Sequence, residues 1–179
     1  MLLFSFLKAN KNRLFLLYSM IQAITETNLT TNLQTEDNRI NTSVATSQIR
    51  HLYKFTNDMD KSVQYAYPFV STIKPRFTNA LFVYQLVPYV YSGQINFLPA
   101  GYWKYEVYEV SWVGAVSVSS GNAPATENDV LSPPADTKGI VQGLVTKGKM
   151  YVAEKDGTQQ VQYNEYEPSS GTNYIYYGQ

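Results

Sequence analysis

Residues 101–112, GYWKYEVYEVSW, constrain the fold of this chain more than any other stretch. Trp103, Tyr105 and Val107 fall on one side of an extended backbone, and Lys104 and Glu106 on the other. A period of two signals a strand, because successive Cβ atoms point to opposite faces of a sheet. After Val107 the phase flips: Tyr108, Val110 and Trp112 are apolar, while Glu109 and Ser111 are polar. Two arrangements produce such a flip. One is a β-bulge near Val107-Tyr108 that inserts one residue. The other is a strand apolar on both faces, with one face covered by a partner. In either arrangement this strand is central to the core.

Strands and turns recur on both sides of it. Residues 51–56 are a candidate strand closed by Asn57-Asp58, and residues 62–67 are a second, stopped by Pro68. Residues 77–87 hold the run NALFVYQLV, ended by Pro88. A run that apolar predicts a strand buried on both faces. Residues 94–98 are short and apolar on one face, and Pro99-Ala-Gly101 turns the chain into the central strand. Residues 140–146 lead to a turn at Lys147-Gly148. Residues 149–154 lead to Asp156-Gly157, with residues 159–166 beyond. Asp-Gly between strand-like runs predicts a two-residue hairpin, since a type I′ turn needs positive φ at both positions. The tail, residues 165–179, closes on an aromatic cluster from Tyr174 to Tyr177, expected as a strand on this sheet or on a neighbour's.

The fold class expected is therefore all-β: an antiparallel β-sandwich or partly open barrel over residues 49–179, preceded by an extended N-terminal arm, residues 1–48. Residues 25–48 are rich in Thr, Asn and Gln. They have few large side chains whose burial offsets the entropy of ordering them, so they read as loosely held. Residues 1–19 admit three readings: a signal-like segment with Lys8, Lys11 and Arg13 as its basic region, an arm that docks on a neighbour, or an extension upstream of a natural start at Met20. Residues 113–138 form a long Ser-, Pro- and Asn-rich loop, read as an interaction element or a mobile excursion.

Lys plus Arg and Asp plus Glu each number 14, and the basic residues are not clustered. That argues against a nucleic-acid partner, which requires a concentrated basic footprint. Charged residues make up only 16 % of the chain, against about 25 % in an average soluble protein. Sixteen Tyr and many Asn, Gln, Ser and Thr cover the remaining surface, a composition that suits protein–protein contacts and also suits strands. There is no Cys, which excludes disulfides, thiolate nucleophiles and Cys-based zinc sites. No apolar run reaches the length of a membrane-spanning helix, so no membrane partner is expected.

No residue qualifies as a catalytic, cofactor-binding or metal-ligating candidate. A Ser-His-Asp triad would need His51, the single His, which reads as a surface or sheet-edge residue. No Ser lies in G-x-S-x-G, and H-E-x-x-H, Walker and G-x-G-x-x-G patterns are absent. Glu106, Glu109, Glu165 and Glu167 are the candidates from which a glycosidase pair would be drawn. Glu106 reads better as a sheet-surface Glu opposite a Lys. Asp58 and Asp60 lack the Gly-bearing loop of a calcium site. The expectation is a chain without enzymatic activity and without cofactors.

Residues 95–112, INFLPAGYWKYEVYEVSW, resemble a motif of small β-sandwich structural proteins of tailed-bacteriophage virions: a buried strand, an L-x-x-G turn and Tyr-rich alternation ending in V-Y-E. Residues 52–68 resemble the first hairpin of those proteins and residues 148–168 their last. The resemblance implies capsid decoration or cement, head–tail connection or a tail role, with other virion proteins as partners and an oligomeric state in the particle. It transfers no functional residue and does not extend to residues 1–45. The alternative is a secreted carbohydrate-binding or adhesion module, since the L-x-x-G-x-Y pattern also occurs in such sandwiches. That alternative requires Trp103 and Trp112 to be exposed for stacking on sugar rings.

Overall fold

A computed structural model describes residues 20–132 and 134–155. The alternating stretch forms β8, Gly101–Ser111, inside a five-stranded sheet. β3, Ile49–Asn57, pairs with it antiparallel on one side, and β9, Ile140–Ala153, on the other. β4, Val63–Ala66, continues β3 as an antiparallel hairpin, and β1, Ile21–Ile24, lies parallel to the end of β9. The second sheet has β6, Thr78–Tyr84, between β2, Leu29–Leu33, and β5, Val70–Ile73. The short β7, Gln94–Ile95, adds to β6 in parallel. The two sheets pack face to face, so the chain is an all-β sandwich, antiparallel except at β1 and β7.

A chain of aromatic rings joins the sheets. Tyr53 and Phe55 of β3 meet Phe82 of β6 edge-on, at centroid distances of 4.9 and 5.7 Å. Phe97 links Phe55 to Trp103 at 4.9 and 5.4 Å. Each edge-to-face pair contributes about 0.5–1.5 kcal/mol beyond the area it buries. Val107, Val145, Met150 and Val152 complete this main core.

The phase flip in β8 has a different origin from an inserted residue on that strand. Pairing with β3 runs unbroken from Asn57↔Trp103 to Ile49↔Ser111. Glu109 keeps the alternation and is buried on the same face as Val107. The irregularity at Val107/Tyr108 does exist, but Val145 is the extra residue and belongs to β9; a second shift follows at Glu109/Val110. Val110 and Trp112 turn to the opposite face and join a second core with Leu52, Tyr67 and Ala123. β8 is thus buried on both faces at this end, and residues 113–139 of the same chain supply the cover of the outer one.

Other expectations also change. Residues 20–48 are not a loose arm. Leu29, Thr31 and Leu33 point inward from β2 and Ala23 is buried in β1, so this segment contributes to both sheets. Only every second residue of a two-sided strand has to be apolar, which is why a Thr- and Asn-rich stretch suffices. Residues 1–19 lie outside the described ones. β6 alternates, with Thr78, Ala80 and Phe82 buried and their neighbours half-buried, because one face of the smaller sheet is open. Lys147-Gly148 is no turn: β9 passes straight through it. A Cβ on Gly148 would sit 2.5 Å from the Tyr105 Oη, so the glycine makes room for that ring. The expected hairpin of residues 149–154 with 159–166 lies outside the described residues in its second half. In its first half, Met150–Ala153 already has β8 on one side and β1 on the other.

Candidate functional site

The described side chains among the chemical candidates are engaged in structural contacts. His51 is buried in the middle of the sheet, not at an edge, directly opposite Glu109. Desolvation, followed by the Arg50 charge, pulls the imidazole down from 6.5 to about 4, so it is neutral near pH 7. The Glu109 carboxylate accepts the backbone N–H groups of Ile40 and Asn41 at 2.9 and 2.8 Å. It anchors the polar N-terminal segment to the sheet and has no free face toward solvent. Glu106 stands opposite Lys54 on the outer face, 3.6 Å away. Asp58 pairs with Lys104 at 3.1 Å, and Asp60 accepts the Ser62 N–H and hydroxyl within its own turn. Glu165 and Glu167 lie outside the described residues. Among the described residues no three metal-ligating side chains gather, and no helix is long and apolar enough to cross a membrane. Trp103 and Trp112 are 2 % and 1 % exposed, so neither presents a ring face.

The long loop is a folded cover. Val116, Val118 and Ala123 pack over Leu52, Tyr67, Val110 and Trp112. The Tyr67 hydroxyl donates to the Pro124 carbonyl at 2.8 Å, and Gly139 N–H to the Asn122 carbonyl at 2.8 Å. At its margin Glu127 takes Lys54 at 2.5 Å and accepts the Tyr65 hydroxyl. The Glu127 hydrogen bond raises the Lys54 ammonium above its ordinary range, which keeps the pair charged near neutral pH.

The best candidate for an interaction site lies beside the smaller sheet. Phe69, Leu86 and Val87 are 63, 71 and 81 % exposed, and Val70 and Tyr89 are also exposed. Backbone geometry fixes each of the two segments. Gly93 adopts φ +67, and a Cβ there would lie 2.1 Å from the Phe69 nitrogen. The segment before β5 therefore lies directly against the turn that ends at Gly93. Tyr89 N–H bonds the Gln94 side chain at 3.0 Å, and the Asn96 amide holds the Leu86 carbonyl at 3.0 Å. These exposed apolar side chains on two fixed segments make up an apolar ridge, and exposed apolar groups of this kind mark contact surfaces. Sequence reasoning missed it because Leu86 and Val87 were read as the end of a buried strand. The available signal was Gln85 interrupting the run three residues before Pro88. Compared with family models, curated proteins and solved structures, the chain matches none.

Proposed function

We propose that this chain is a non-enzymatic structural subunit of a virus particle, decorating or cementing a capsid or joining head to tail through protein–protein contacts. The observation that carries the contact role is the ridge of Phe69, Val70, Leu86, Val87 and Tyr89. The particle itself rests on the resemblance of residues 52–68 and 95–112 to virion sandwich proteins. The carbohydrate-binding alternative has less support, because both Trp side chains are buried.

The test uses particles purified on density gradients from cells that make the chain. The protein is expected to co-purify with the particles, and Leu86→Asp with Val87→Asp is expected to remain folded but be lost from them. Recovery of the chain only away from particles, or unchanged incorporation of the ridge variant, would overturn the proposal. Binding to a glycan array that survives the ridge substitutions would favour the secreted module.

A further inference from the structure

Among the described residues, the outer face of the five-stranded sheet is covered over only half its length. Beyond Lys54, the side opposite the main core carries Thr56, Lys104, Glu106, Lys147 and Lys149, which with Met20 border a trough of about 920 Å³. Tyr102 and Tyr151, both exposed, stand together at its far end with ring centroids 5.1 Å apart. Lys104 and Lys149 are direct cross-strand neighbours, an unfavourable placement for like charges. Asp58 offsets Lys104, and Glu106 is engaged by Lys54. Among the described residues Lys147 and Lys149 have no ion partner, so the bare half carries uncompensated positive charge.

We propose that residues 159–179 of the same chain dock on this bare half in cis. Residues 156–179 contain Asp156, Glu165 and Glu167 and no Lys or Arg. The segment before Met20 carries Lys8, Lys11 and Arg13 with no acid, so it offers this face no complementary charge. The spacing also matches. Tyr151, Lys149 and Lys147 recur every second residue along β9, and Tyr163, Glu165 and Glu167 recur at the same interval. An antiparallel return along β9 places Tyr163 over the Tyr102–Tyr151 pair, Glu165 over Lys149 and Glu167 over Lys147. Reach is sufficient: Lys155, tied to Thr25 Oγ1 at 2.9 Å, is eight residues past Lys147, about 26 Å along a strand. Glu167 is twelve residues beyond Lys155, about 40 Å of extended chain. Tethering raises the local concentration of the segment over a free competitor. The docking is independent of the apolar ridge and does not require the particle assignment.

Hydrogen exchange on the full chain tests it. Amides of residues 161–167 are expected to exchange on the order of tenfold slower than an unstructured peptide, at any protein concentration. Lys147→Glu with Lys149→Glu should abolish that protection, as should Glu165→Lys with Glu167→Lys, and combining all four should restore it. Lys147→Gln with Lys149→Gln should weaken it without adding acid. Throughout, β3 and β8 amides should keep their protection. Unprotected 161–167 amides in the natural chain, or protection indifferent to the charge reversals, would overturn the proposal. Protection that rises with protein concentration would also overturn it, by assigning the face to a second copy.

Discussion

The two halves of one sheet face make the most instructive comparison in this molecule. The same strands, β3 and β8, run through both. Toward one end their outward residues are Leu52, Val110 and, just past β8, Trp112, and residues 113–139 fold over them. Toward the other they are Thr56, Lys104 and Glu106, and no described residue covers them. The difference is set by side-chain hydration: an exposed Trp or Leu row drives the chain to supply a cover, whereas Lys and Thr on a sheet remain hydrated. Lys54 marks the border, its ammonium on Glu127 of the cover and near Glu106 of the sheet.

The most severe way to break this contrast is Trp112→Ala. The ring is fully buried under the cover, and its loss should destabilise the protein by about 3–5 kcal/mol in urea unfolding, with hydrogen exchange accelerating first across residues 113–139. A loss under about 1 kcal/mol would mean that the cover does not depend on the second core.

Acid should produce a slightly smaller effect on the inner face. The His51 pKa is depressed in the folded state to about 4, so the unfolded chain binds the extra proton between pH 6.5 and 4. Stability is therefore full above pH 6.5 and falls as pH drops through that window, by about 3 kcal/mol in all. The charge acting on it is Arg50 on the same strand, and Glu109 is its cross-strand partner. His51→Gln should flatten the slope, and the slope should survive in Glu109→Gln if His51 is its source. Glu109→Ala strands the Ile40 and Asn41 N–H groups and should cost about 1.5–3 kcal/mol, with faster exchange at residues 39–44. The bare half should respond least. Thr56→Ala and Lys149→Ala should each shift stability by less than about 0.5 kcal/mol in the same urea titration. A larger loss would place hidden packing on that face.

Much of the fold was readable in advance. The alternation of residues 101–112 announced a central strand, and residues 51–56 and 62–67 announced two more strands, which the structure pairs with each other and, through the first, with the central one. Even the phase flip was read at the right place. It could not be assigned to a bulge on β8 or to a two-faced strand, because alternation records which residues are apolar and not what covers them. The ridge was less legible. Leu86 and Val87 look like core residues in one dimension, and only the tertiary structure shows that they stay exposed on a loop held by Asn96. Gly148 misled for a related reason: a glycine that accommodates the Tyr105 ring has the same letter as one that turns the chain.

Local pattern therefore decided the strand-forming periods, the β class and the absence of thiol chemistry, since these depend on residue type and on neighbours two positions away. Tertiary structure decided the rest. It placed β1 beside β9 and β2 beside β6, buried His51 against Glu109, and turned a polar N-terminal stretch and a Pro-rich loop into parts of the folded body. Those outcomes depend on pairings between residues tens of positions apart, where each strand takes the open edge or apolar face that it can satisfy. That choice is made by the free energy of the whole assembly and leaves no periodicity in the chain itself.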